Sequence, residues 1–129
     1  MLIICKSIQI KELKPLEHYF DIKAIKSAAI KAQKGLGDII SSPIKNSHII
    51  KIYLTGKPAG RICFLIFTKQ GDIVPLILRL KKDKKIGKNM SIQNSSFKKI
   101  LKKNIKLALN DIKTDKYTEI ELSPKAFKT

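Results

Sequence analysis

Apolar and polar residues alternate from the first positions of the chain. Leu2, Ile4, Ile8 and Ile10 fall on one side, and Cys5, Ser7 and Gln9 on the other. A period of two predicts a half-covered strand over residues 2–10. The period then changes. Ile22, Ile25, Ala29 and Ala32 recur at helical spacing with Lys23, Lys26, Lys31 and Lys34 between them, which predicts helix up to Gly35. Pro15 suits a first helical turn. The stretch from Pro15 to Lys34 is either one helix or two, with a break near Asp21.

Residues 35–46 carry Gly35, Gly37, two serines and Pro43 and read as a loop. Alternation resumes at 48–54, where Ile50, Ile52 and Leu54 oppose Lys51 and Tyr53. The turn TGKPAG follows, then the almost continuously apolar RICFLIFT (61–68), a Gln70-Gly71-Asp72 turn and IVPLILRL (73–80). Short turns between three such runs predict an antiparallel meander with 61–68 at its centre. Pro75 lacks a donor for the ladder and predicts a bulge or unpaired stretch. After a basic linker, Phe97, Leu101, Ile105, Ala108 and Ile112 form the stripe of a helix running from about Asn94 to Lys113, widened by Ile100 and Leu109. YTEIEL (117–122) reads as a short last strand. The order β-α(α)-β-β-β-α puts the chain in the α+β class, with a small antiparallel sheet and helices packed on one face.

Composition narrows this picture. At 129 residues with 43% hydrophobic content, the chain is expected to be one domain over 1–129, with 114–129 a flexible tail apart from its short strand. Aromatics make up only 6% and there is no Trp, against 23 Ile, so the core is aliphatic. Lys6 interrupts the apolar opening, no cleavage site follows, and no apolar run approaches the length of a membrane span. A secreted or membrane protein is therefore not expected, and the chain reads as cytoplasmic. Cys5 and Cys63 both lie in apolar stretches and read as reduced core thiols.

Charge changes the picture more. There are 27 Lys plus Arg against 10 Asp plus Glu, a net charge of +17. Such a field draws polyanions, nucleic acid first. Of the basic residues, 25 are Lys and only Arg61 and Arg79 are Arg. In a chain that uses Lys almost everywhere, the two forks suit bidentate phosphate contact. Antiparallel pairing brings Arg61, which opens one strand, near Arg79, which ends the next. Lys81, Lys82, Lys84 and Lys85 follow directly, and Lys51 lies off the Ile50/Ile52 face. Together these can hold a phosphate whose oxygens gain charge in a transition state. Lys98, Lys99, Lys102, Lys103 and Lys106 are the polar face of the last helix.

Other chemistries find little support. His18 and His48 have no ligand spacing around them, Cys63 has no base beside it, and GLGD lacks the third glycine and the preceding strand of a dinucleotide fingerprint. No metal and no cofactor is expected.

The run HIIKIYL, a Gly-containing turn, GRICFLIF, a turn with Gly71-Asp72, IVPLILRL and a lysine-rich exit resembles the RelE/ParE superfamily of toxins from bacterial and archaeal toxin–antitoxin systems. GDII at 37–40 is similar to the longer members. The specific likeness covers about 35 residues, while the element order follows the family's plan over most of the chain. The resemblance implies ribosome-dependent cleavage of messenger RNA by 2′-hydroxyl attack, with neutralisation by a cognate antitoxin. It gives Arg61 the contact to the scissile phosphate. Lys51 gains a part in activating the 2′-hydroxyl, which asks for cationic neighbours that loosen its own proton. Lys81 and Lys82, continued by Lys84 and Lys85, take the basic cluster that holds the RNA backbone, with Arg79 and Tyr53 beside them. Two departures stand out. No Tyr or His follows the last meander strand, and the often basic position after Lys51 is Tyr53. The alternatives are a non-enzymatic inhibitor of a protein target such as gyrase, as in the ParE branch, or a basic RNA- or ribosome-binding protein.

Overall fold

The structure is a computed structural model and describes residues 1–83, 86 and 90–122. The chain runs β1 (Leu2–Cys5), α1 (Lys6–Ile8), a π turn (Gln9–Leu13), a 3-10 turn (Lys14–Leu16), α2 (Ile22–Gln33), β2 (Asp38–Ile40), β3 (Ser47–Leu54), β4 (Gly60–Phe67), β5 (Ile73–Leu80), α3 (Ser95–Lys113) and β6 (Tyr117–Ile120). One sheet has the order β2-β3-β4-β5-β1-β6. All neighbours are antiparallel except β1 and β5. The class is α+β, as the pattern predicts.

The first strand is shorter than expected. It ends at Cys5, and the chain turns into α1, so Ile8 is buried while Ile10 is 59% exposed. The cause lies far along the chain. The Asp111 carboxylate accepts from the Ser7 backbone N–H at 2.7 Å and from its Oγ at 3.1 Å, which fixes the corner where an extended chain would have gone straight on. The break before α2 falls at Asp21, whose side chain caps Ala24 N–H at 3.0 Å. Gly35, at φ +77°, closes α2. The Leu36 and Gly35 N–H groups bond back to the Lys31 and Ala32 carbonyls, the pairing that favours glycine at a helix end. Asn94 caps α3 through Phe97 N–H.

The expectation of helices on one face needs correction. Ile62 to Leu65 in β4 and Ile73, Val74 and Leu76 to Leu78 in β5 are all fully buried. Successive residues of a strand point to opposite sides, so both faces are covered. β1 shows what covers them. Ile4 shares a crevice with Ile22 and Ile25 at the start of α2. The next residue, Cys5, sends its Sγ to the Ala108 carbonyl of α3. The two long helices therefore flank the sheet. Long apolar runs at 61–67 and 73–78 carry this information, because a one-sided sheet would alternate there.

Pro75 behaves as predicted. Cys63 pairs with Ile77 and Phe64 with Pro75, so β5 carries a bulge at Leu76. The loop expected at 35–46 holds a short edge strand, β2, with Asp38 opposite Lys51. The strand expected at 117–122 is β6, paired with β1 over four residues.

Candidate functional site

Two polar centres sit on β3, β4 and β5. The first lies on the outer edge of β5. β1 pairs with β5 only at Leu2↔Ile73 before turning away, which leaves later backbone groups of β5 without a strand partner. A buried backbone group must find one. Glu12, 1% exposed, supplies it: its Oε1 accepts from the Leu78 N–H at 2.9 Å. Asn104 Nδ2, on α3, donates to the Leu76 carbonyl at 2.7 Å and to Glu12 Oε2 at 3.1 Å. Arg79 pairs with Glu12 through Nη1, and its Nε lies 3.8 Å from Asp83. Lys11 Nζ bonds Asn104 Oδ1 at 2.7 Å; burial, then the charge of Lys103, pushes its pKa below the ordinary lysine value. A cleft of about 480 Å³ opens beside this group.

The second centre lies on the face of β3 and β4 that carries Lys51 and Tyr53. Tyr53, Arg61 and Arg79 are successive cross-strand partners, so all three leave the sheet on one side. The Arg61 guanidinium stands 5.0 Å from the centre of the Tyr53 ring, and Lys51 Nζ stands 5.5 Å from it, within the range of cation–π attraction. The Tyr53 hydroxyl donates to Asp38 Oδ2 at 2.6 Å. That bond, with burial adding to it, raises the Tyr53 pKa above the usual phenol value, so the ring keeps its proton. Lys51 Nζ donates to the Met90 carbonyl at 3.0 Å and lies 3.8 Å from Asp38.

The predicted site residues thus divide. Lys51, Tyr53 and Arg61 come together. Arg79 lies across from Arg61, yet its guanidinium is engaged by Glu12 on the strand edge. Lys81 and Lys82 are exposed and line a cleft of about 580 Å³ with Tyr19 and the 56–59 turn. Lys84 and Lys85 lie outside the described residues. Lys51 has an acidic partner, Asp38, where the deprotonating role asks for cationic ones, and both of its contacts use its protons. That geometry suits a fixed positive charge.

The sequence reading passed over Asp38 and Glu12. Asp38 was legible only through β2, whose three residues sit among glycines and serines. Glu12 offered a fainter clue, one carboxylate followed at once by Leu13 in a chain crowded with lysine. Cys63 is fully buried on the Lys51 face, and burial pushes its thiol up to about 12, which is core chemistry and not that of a nucleophile. His18 is exposed and stacks on Tyr19 at 4.0 Å. Among the described residues, no three His, Cys, Asp or Glu side chains gather in a metal-holding group, and no helix is long and apolar enough to cross a membrane.

Comparisons with protein-family models, with curated proteins and with solved structures return no match for this chain. Function is therefore argued from the patch itself.

Proposed function

We propose that the protein is a RelE/ParE-like toxin that acts on RNA at the ribosome through the Lys51–Tyr53–Arg61 patch and is neutralised by a cognate antitoxin. The carrying observation is the stacking of Arg61 on Tyr53, with Lys51 on the other flank of the ring. A ring held between two cations orients them toward one small area, in a chain of net charge +17. Stacking restricts the Arg61 side chain and so favours its fork for phosphate contact.

The reaction is 2′-hydroxyl attack. The 2′-oxygen bonds to phosphorus and gives its proton to a base. The bond to the 5′-oxygen breaks, and that oxygen takes a proton, which leaves a 2′,3′-cyclic phosphate and a 5′-hydroxyl. In this scheme Arg61 and Lys51 hold the charge that builds on the phosphate oxygens. The Asp38 carboxylate and the protonated Tyr53 hydroxyl are the pair that can accept and supply protons. They stand in for the Tyr or His that the family places after the last meander strand. The antitoxin would bring an acidic or amphipathic segment to this surface.

Primer extension on a message engaged by translating ribosomes tests the reading. Purified protein should produce new cuts in codon register, and Arg61→Ala should lower their rate on the order of a hundredfold or more. Cuts of undiminished strength with Arg61→Ala would overturn the role given to the patch. A second reading rests on the absence of Tyr and His from residues 81–96: growth arrest on expression, without any cuts, would move the function to a protein target such as gyrase.

A further inference from the structure

Among the described residues, the two exposed tyrosine or phenylalanine side chains are Tyr19 and Tyr53, each 46% exposed. An aliphatic core has little need of aromatics, and the other described ones are buried or half-buried. Both exposed rings lie at the same end of the sheet. Tyr53 and Arg61 flank the β3–β4 turn, and Gly56 to Ala59 of that turn line the cleft that holds Tyr19, Lys57, Lys81 and Lys82. The sheet fixes this cleft against the patch. Gly60 pairs with Leu80, Arg61 pairs with Arg79, and the Lys81 N–H bonds the Ala59 carbonyl at 2.9 Å. Phe20 anchors the chain from below: a Cβ on Gly60 would meet its ring at 2.7 Å. Tyr19, the next residue back, is thereby presented outward, with His18 stacked against it.

We infer that the Tyr19 cleft is a second nucleotide site for single-stranded RNA, continuing the strand held at Tyr53 and Arg61 around the end of the sheet. The cleft volume, about 580 Å³, suits one or two nucleotides. Its chemistry is that of sequence-tolerant single-strand binding: an aromatic ring for a base and lysines for the backbone. Lys57, Lys81 and Lys82 supply the phosphate contacts. Tyr19 supplies what charge alone does not, a distinction between unstacked bases and any other polyanion. This inference rests on the RNA-directed reading above.

Fluorescence anisotropy with the full chain separates the two claims. The probes are labelled single-stranded RNAs of four and ten nucleotides, a ten-base-pair RNA duplex and heparin, in moderate salt. Tyr19→Ala should weaken the ten-nucleotide RNA on the order of tenfold, leave the four-nucleotide RNA and heparin unchanged, and keep the wild-type melting temperature. Tyr19→Phe should bind as wild type, because the ring and not the hydroxyl does the stacking. Lys57→Ala with Lys81→Ala should flatten the salt dependence of ten-nucleotide binding by about one unit of slope. Equal binding of the ten-nucleotide RNA by Tyr19→Ala and wild type would overturn the inference, as would an equal loss on heparin. If Arg61→Ala still abolished cleavage in that case, the Tyr53–Arg61 reading would stand alone. If the wild-type chain bound duplex, heparin and single strands alike, both would fall.

Discussion

Arg61 and Arg79 face each other across β4 and β5, yet they belong to different parts of the molecule. Arg79 reaches outward to a carboxylate that is fully buried and already bonded to the backbone of β5. Arg61 lies over the exposed ring of Tyr53. The first arginine closes a strand edge that β1 abandons, and the second stands where a phosphate can reach it. The same residue type on the same rung thus does structural work in one place and is offered to solvent chemistry in the other. What separates them is the company each keeps, Glu12 and Asn104 against Tyr53 and Lys51. A sequence pattern that counts rare arginines sees two equal candidates.

The strongest way to break this contrast is to remove Glu12. Glu12→Ala leaves the Leu78 N–H, the Asn104 amide and the Arg79 guanidinium without their acceptor. Breaking a buried pair of this kind costs about 3–5 kcal/mol, a large share of a small domain's stability. Urea denaturation should show it as a lower midpoint. Arg61→Ala should shift the same midpoint by about 0.5 kcal/mol or less, since surface changes away from special features stay within that range. Equal losses in the two variants would erase the distinction drawn here.

A second test works at the joint between the centres. Gly60 starts β4 beside Arg61, and its missing side chain is filled by Phe20. Gly60→Ala places a methyl within 2.8 Å of two ring carbons and 3.0 Å from the Arg79 carbonyl. Overpacking of this sort costs about 1–3 kcal/mol. The double variant Gly60→Ala, Phe20→Leu should recover part of that loss in thermal unfolding. No recovery would mean that the backbone contact, and not the ring, sets the cost.

Cys63 sharpens the comparison without altering either centre. It is fully buried, and its thiol feels Lys51 on one side and Glu12 on the other. Cys5 is buried too, and each thiol rises from 9.0 to about 12, chiefly through burial. Since the folded chain keeps protons that the unfolded chain gives up, stability should fall as pH climbs from about 9 toward 12. At pH 8 both cysteines should resist alkylation, as peptide mass spectrometry can follow. Glu12→Ala should speed labelling of Cys63 by loosening the edge of β5, and Arg61→Ala should not. Fast labelling in the wild-type chain would contradict the buried assignment.

Much of this fold was legible because local patterns and tertiary demands agree. Asn94 to Lys113 has a cap, a stripe and a polar face, and it forms the helix those features predict. The meander follows from three apolar runs and two turns, and Pro75 marks its own bulge. The failures share one cause. Residues 6–10 kept the strand's alternation, but Asp111, about a hundred positions away, fixes Ser7 and turns the chain. The two-faced burial of the sheet depends on which side each helix takes, and periodicity within a segment says nothing about sides. At the site, Lys51, Tyr53 and Arg61 were found because they share a parity on paired strands. Arg79 was misjudged because its partner, Glu12, comes from a helical turn that the alternation had read as the continuation of a strand.

The smallest effect tests the fine structure of the exposed patch. Asp38 holds the Tyr53 hydroxyl and lies near Lys51, and both contacts are at the surface, where a hydrogen bond or ion pair contributes at most about 1 kcal/mol. Asp38→Asn should therefore leave the urea midpoint nearly unchanged. Its effect should be on the proton of Tyr53. With the carboxylate gone, the phenol loses the charge that made it hold its proton, so its titration should move down toward the ordinary value of 10.0. Ring-labelled tyrosine followed by NMR across alkaline pH resolves Tyr53 from Tyr19 and Tyr117. A Tyr53 titration that stays put in Asp38→Asn would show that the carboxylate does not govern the ring. The patch would then keep its two cations but lose the proton-handling pair on which the cleavage scheme depends.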